Sequence, residues 1–290
     1  TMIGTKPYYY ADWDVNKIFY NNASPSQSHI LSIQGSSGKS AYYLSFGYDY
    51  KEGIMKMRPD KLNKYNATVN VTTSLYDWLK VGARFNYTRR DYTYPETASN
   101  VYQYLWRWGS FFLPSGTIDG YDPRIIAHLK QAAMGQTATD FLRMNTFLKA
   151  NIAEGLTFNA DFTYSIQNLN SNSSKFSVYG IDWGSAKPSY ILSKDLTSTW
   201  KDNSKENTWT LNAYMDYEKS FAQKHNLKIM AGFNAEKLEY SYLLGQRNVL
   251  LDQAQPELNL ARQDGQSLGS KHNRRASAGF FGRVNYDYND

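Results

Sequence analysis

The chain has 290 residues, 20% of them charged, a net charge of +6 and no cysteine. Without cysteine it can form neither disulfides nor thiolate metal sites. Its Lys and Arg are dispersed, which argues for solvated faces over a nucleic-acid surface. Aromatics reach 16%, with 25 tyrosines, and favour sheet over helix.

Residues 1–27 are rich in Tyr, Asp and Asn, with Pro7 and Pro25, and read as a lead-in segment with one or two helical turns over Asp12–Tyr20. The first strong signal is His29–Ile54. Tyr42, Leu44, Phe46, Tyr48 and Tyr50 alternate with Tyr43, Ser45, Gly47 and Asp49. A period of two means a strand whose faces meet different surroundings. Leu31 and Ile33 alternate upstream, and Gly35-Ser36-Ser37-Gly38 supplies small residues for a reversal, so this is a β-hairpin with strands near 28–35 and 40–50. Gly38-Lys39-Ser40 mimics the end of a phosphate-binding loop, but Ile33 stands where that motif needs glycine, and a strand follows where it needs a helix.

The pattern repeats. Strands are expected near 62–74, 78–91, 140–152, 156–168, 205–219, 226–241 and 273–289. Leu79, Val81, Ala83, Phe85 and Tyr87 make one face of the fourth; Leu156, Phe158, Ala160, Phe162 and Tyr164 make one face of the sixth. The short links are expected at Ser74–Asp77, Ala153–Gly155 and Ser220–His225. Between them lie long links near 92–139, 169–204 and 242–272, the first holding a possible helix at Pro123–Ala133. In an up-and-down meander, alternation of short and long links gathers all the short turns at one end.

Proline and charge follow the same plan. All eight prolines are expected outside the strands, where none costs a ladder hydrogen bond. The apolar-side positions carry no charge within the alternating cores, whereas the opposite sides carry Asp49, Lys80, Arg84, Lys149, Asp161, Asp216, Lys228, Arg283 and Asp287. The runs are about 9–14 residues long, against about 5–6 in ordinary sheets and about 9–11 needed to cross a bilayer at a tilt. Tyr48, Tyr50, Trp78, Tyr87, Tyr286 and Tyr288 lie at strand ends, where interfacial girdles would fall. No run of 18 apolar residues exists, but barrel strands hide their hydrophobicity in alternation. There is no signal peptide, and Thr1-Met2-Ile3-Gly4 reads as though cut from something longer. The expected fold is all-β: an antiparallel up-and-down transmembrane β-barrel segment of about nine strands, open as a partial barrel, with long extracellular loops. A soluble β-sandwich carbohydrate-binding module is the competing architecture.

Several segments resemble a known family. HILSIQGSSGKSAYYLSFGYDYKEGIMK is similar to a hairpin of SusC/RagA-like TonB-dependent transporters, and KYNATVNVTTSLYDWLKVGARFNYTRR to the hairpin that follows it. HNLKIMAGFNAEKLEY and FFGRVNYDYND also resemble family segments, in family order. The resemblance implies a barrel of about 22 strands enclosing an N-terminal plug. It further implies a bacterial outer-membrane location, a SusD-like surface lipoprotein as lid, and energy from TonB–ExbB–ExbD through the missing N-terminal region. Glycans or oligopeptides would be imported. By that resemblance residues 1–290 are one partial barrel domain, with 1–27 leading in and strands from about 28 to 289.

No catalytic constellation, metal spacing or cofactor motif stands out, so neither an enzyme nor a cofactor is expected. Membrane lipid is an expected partner and nucleic acid is not. Trp106, Trp108 and Trp183, in the long loops, are the candidate ligand-binding residues, because aromatic rings can stack on sugar faces. Loop packing or contact with the lid protein is the competing reading for each.

Overall fold

The computed structural model describes residues 2–3, 6–7, 13–96, 116–182 and 187–288. Nine long strands form the main sheet: β1 (Ser26–Ser37), β2 (Ser40–Glu52), β3 (Lys61–Tyr76), β4 (Leu79–Pro95), β5 (Met134–Ala153), β6 (Leu156–Lys175), β7 (Ser198–Phe221), β8 (His225–Asn248) and β9 (Ser267–Tyr288). Each pairs antiparallel with its neighbours in sequence, and the sheet is open at β1 and β9. Helix α1 (Val15–Phe19) precedes it, and α2 (Arg124–Gln131) lies in the link between β4 and β5. A small hairpin, Val178–Ile181 with Pro188–Leu192, lies between β6 and β7.

The short links are tighter than the composition suggests. Gly35–Ser37 is still strand, and Gly38-Lys39 alone turns β1 into β2. Gly38 has φ +55°, while Lys39 keeps a negative φ, the pattern of a type II′ turn matched to strand twist. Asp77-Trp78 and Glu154-Gly155 make the next two turns, and Ala222-Gln223-Lys224 the last. At the other end the links run through 53–60, 96–133, 176–197 and 249–266.

The strands slip steadily past one another. The row of register partners that starts at Ser37 and Ser40 passes Thr73, Val81, Leu148, Ala160, Ala213 and Phe233 and reaches Phe280. Yet the β7–β8 turn lies at Phe221, eight residues beyond Ala213. Eight residues over six strand steps, at about 3.3 Å per residue and about 4.8 Å between strands, is a tilt of about 40°. Barrels close at about 35–45°.

Sidedness follows the register. Row after row joins apolar residues: Ile33, Leu44, Val69, Phe85, Met144, Tyr164 and Trp209 share one. This face carries no charge from Tyr217 up to Tyr87, and then changes abruptly. Arg89 pairs with Asp91 at 3.0 Å and with Asp140 at 3.3 Å, and Glu239 with Lys237 at 2.9 Å and Arg274 at 3.2 Å. Arg89 stands ten residues from Leu79, about 25 Å along a barrel axis at that tilt, which is the height of an outer-membrane apolar band. Lys219 marks the other margin, its ammonium 5.8 Å from the Phe221 ring.

Among the described residues no second sheet covers this face. Leu44, Val81 and Phe158 are all partly exposed, and none points into a dry interior, which removes the sandwich architecture. The hydrophobic cluster is instead outside the sheet, at the long-link end. Phe19, Met55, Ile125, Ile126 and Leu129 are its buried members. Backbone bonds tie it together: Asn21 N–H donates to Ile54 O at 2.8 Å, and Lys56 N–H to Phe19 O at 2.9 Å.

The strands exceed their expected bounds chiefly at this end, and one expectation about proline is corrected. Pro95 is the last residue of β4, opposite Met134. Pairing with β3 stops at Thr93, so Pro95 has a neighbour on one side only and disrupts no second ladder.

Candidate functional site

The face opposite the apolar band is built for water. Thr68 donates to Asn86 at 3.2 Å and Thr88 to Asn66 at 3.1 Å, while Asn145 donates to Thr163 at 2.9 Å. Farther round, Asn234 donates to Asn212 and Asn212 to Asp161, at 2.5 and 3.2 Å. These are cross-strand partners, so the amide ladder is a direct product of the register. A groove of about 790 Å³ runs over β4–β7, lined by Lys80, Arg84, Arg143, Lys149, Asp161 and Tyr214 among others.

Aromatic rings on this face lie against glycine. Phe147 is the partner of Gly82, and Phe281 of Gly232. A Cβ on either glycine would meet the ring at 2.4 Å, so each glycine is a seat for its ring. Arg84 then places its guanidinium 4.7 Å from the Phe147 centroid.

The long-link end forms a cap with its own surface. Gln131 holds the small hairpin through both backbone groups of Tyr179, at 2.8 and 3.0 Å, and Arg124 pairs with Asp182 at 2.7 Å. Tyr121, Tyr179 and Tyr190 meet edge to face, with centroids 5.6 and 5.0 Å apart, and all three stay more than a third exposed. Behind them a cavity of about 160 Å³ is lined by Glu96, Arg124, His128 and Lys175 among others. Burial lowers the His128 pKa to about 4, with Arg124 adding to the effect. Burial also raises that of Glu96, against a hydrogen bond from Ser173.

Trp106, Trp108 and Trp183 lie outside the described residues. The tyrosine cluster was not singled out from sequence, because its members sit in three separate segments and only the fold of the cap joins them. Among the described residues no group of three or more His, Asp or Glu could hold a metal ion. No described helix is long and apolar enough to cross a membrane.

A tilted antiparallel meander with a charge-free band on one face and ionised side chains on the other is the wall of a transmembrane β-barrel. No family model matches the chain. Two curated proteins of Formosa agariphila align with nearly all of it. TonB-dependent receptor P26 is 25% identical over 281 residues, 92% of this chain and 27% of its own length. TonB-dependent receptor P39 is 24% identical over 273 residues, 89% of this chain and 24% of its own. The solved RagAB peptide importer in its open-open state superposes with a TM-score of 0.74 at 17% identity, covering 98% of this chain and 32% of that one. The RagAB peptide transporter gives 0.71, also at 17% identity, over 96% and 32%. The fold is therefore that of part of a RagAB-type transporter barrel, and the sequence is similar to TonB-dependent receptors over nearly its whole length. It spans about a quarter of the length of the curated relatives it matches.

Proposed function

We propose that this segment is barrel wall in a bacterial outer-membrane importer driven by TonB, taking up glycans or oligopeptides beneath a SusD-like surface lipoprotein. The whole chain, 1–290, would belong to that one barrel domain. The observation that carries the reading is the sidedness of β2–β9: a charge-free band about 25 Å tall, backed by a face of charge and amide ladders. Such a wall lets a polar solute pass and does no chemistry on it, so no catalytic role is assigned. The peptide alternative rests on likeness to RagAB, a peptide importer, and the lipoprotein lid on the family resemblance of the hairpin segments. Tyr121, Tyr179 and Tyr190 on the cap are proposed contacts for solute or lid, as are Trp106, Trp108 and Trp183 from the long links.

The test is uptake. Cells carrying the full-length protein are given fluorescent oligopeptide and oligosaccharide pools, with and without a proton-motive-force uncoupler. Uptake of one pool that needs both the protein and the force supports the reading. Equal uptake in the deletion strain refutes it.

A further inference from the structure

Charge on the water-facing side is sorted by strand. β3, β4 and β5 place six cations there, Lys64, Lys80, Arg84, Arg90, Arg143 and Lys149, and no carboxylate. β6, β7 and β8 place Asp161, Asp202, Glu206, Asp216, Glu218 and Glu236 there, against only Lys175 and Lys228.

Several of the acids are answered inside the sheet. Glu218 pairs with Lys228 at 2.9 Å and Glu236 with Arg275 at 3.1 Å. Asp216 accepts from Asn159 at 2.9 Å and Asp161 from Asn212 at 3.2 Å. The bases are not answered. Among the described residues none of the six cations has an ion pair or a hydrogen bond, and Arg84 has only the Phe147 ring. Asp49 is the register partner of Lys64 but accepts from Ser28 instead, at 2.7 Å. Two cross-strand pairs are even like-charged, Lys64 with Arg90 and Lys80 with Lys149. Like charges directly opposite each other are destabilising. This wall repeats that arrangement at both ends of one strip.

The strip follows β4 for ten residues, from Arg90 to Lys80, about 33 Å at the usual strand rise. Arg143 and Arg84 fall between, leaving about 7–13 Å between successive cationic positions. We infer that the β3–β5 strip is a binding track for an extended polyanionic solute, whose carboxylate or sulfate groups step from Arg90 toward Lys80. The inference rests on the barrel reading above and narrows its substrate class.

The test uses the full-length protein in detergent, with three labelled probes of similar length: a sulfated oligosaccharide, an oligoglutamate and an uncharged dextran. Heat-modifiable mobility of the same sample reports the barrel separately, so a failed barrel and a failed track are told apart. Wild type should bind one or both polyanions, and more weakly as salt rises past the range where screening sets in. The variant Lys80→Gln/Arg84→Gln/Arg143→Gln/Lys149→Gln should lose about tenfold or more, the effect expected of four screened charge contacts. Lys149→Gln alone should lose less, with mobility unchanged in both. Binding of the sulfated probe only, or of the oligoglutamate only, identifies the source of the anion. The track is overturned if the quadruple variant binds polyanions like wild type. It is overturned too if wild type binds neither polyanion, or binds the uncharged dextran as tightly; a lower-melting variant would then assign the cations to an acidic segment of the protein itself.

Discussion

Phe85 pairs with Met144 across the β4–β5 ladder, and one residue earlier Arg84 pairs with Asn145. The two pairs lie on opposite faces, one in the apolar band and one over the groove. Phe85 is six residues from Leu79 and four from Arg89, near mid-band. Phe85→Arg should therefore cost the full-length barrel about 2–4 kcal/mol, the penalty for a cation at mid-membrane. Val81→Arg, close to the turn, should cost about 0–1 kcal/mol, because that penalty fades toward the interface. Arg84→Ala should leave assembly intact. Heat-modifiable folding of the three variants measures this, and equal behaviour of Phe85→Arg and Arg84→Ala would refute the face assignment.

Gly155 closes the turn between β5 and β6 with φ +74°, and a Cβ there would meet the Glu218 carbonyl oxygen at 2.2 Å. The same turn accepts the Glu218 N–H on the Gly155 carbonyl at 2.8 Å, so it is a contact point with β7. Gly155→Ala adds backbone strain of about 1–3 kcal/mol to that clash. Gly47→Ala is the control, because β2 is flanked on both sides and a Cβ there would meet only Asn66, at an ordinary 3.5 Å, and the His29 carbonyl at 3.9 Å. The unfolding temperature of the barrel should fall for the first and stay put for the second.

Alternation made the membrane-spanning parts of the strands legible, and it stopped where the surroundings stopped differing. β7 begins at Ser198 instead of near 205, and β5 at Met134 instead of near 140. Their outer turns read Ser-Thr-Trp-Lys-Asp-Asn-Ser and Met-Gly-Gln-Thr-Ala-Thr-Asp, with no apolar side, because above the band both faces leave the hydrocarbon. The charge pairs Arg89–Asp140 and Glu239–Arg274 were invisible for another reason: they depend on register, which a single strand does not state. Sorting of the water-facing charges by strand was likewise hidden until each cation had a known neighbour. The cap was least legible, since its cluster joins Phe19, Met55 and Leu129 from three separate segments.

The cap and the wall should unfold separately, because the cluster around Phe19 shares no apolar core with the sheet. Phe19 is fully buried. Phe19→Ala should cost the cap about 3–5 kcal/mol, the usual price of deleting a buried ring. Limited proteolysis of the full-length protein should then cut within 13–25 or 53–60 many times faster, with heat-modifiable mobility of the barrel unchanged. Loss of both together would mean that cap and wall fold as one unit.

The cap should also respond to pH through two groups that oppose each other. His128 has a folded pKa of about 4 against an ordinary 6.5, chiefly from burial, with Arg124 and Lys175 lowering it further and Asp182 raising it. Between about 6.5 and 4 the unfolded cap takes up a proton that the folded cap refuses, so this group removes stability as pH falls through that window. Glu96 is shifted the other way, upward by burial, against the Ser173 hydroxyl and Lys175. Its contribution is present at low pH and is lost as pH rises above the ordinary carboxylate value of 4.5. His128→Asn should therefore leave a cap that grows more stable as pH drops from 6.5 to 4. Glu96→Gln should leave one that weakens over the same range. Amide exchange across α2 in the full-length protein reads both, and identical pH profiles for the two variants would show that neither side chain titrates as its surroundings require.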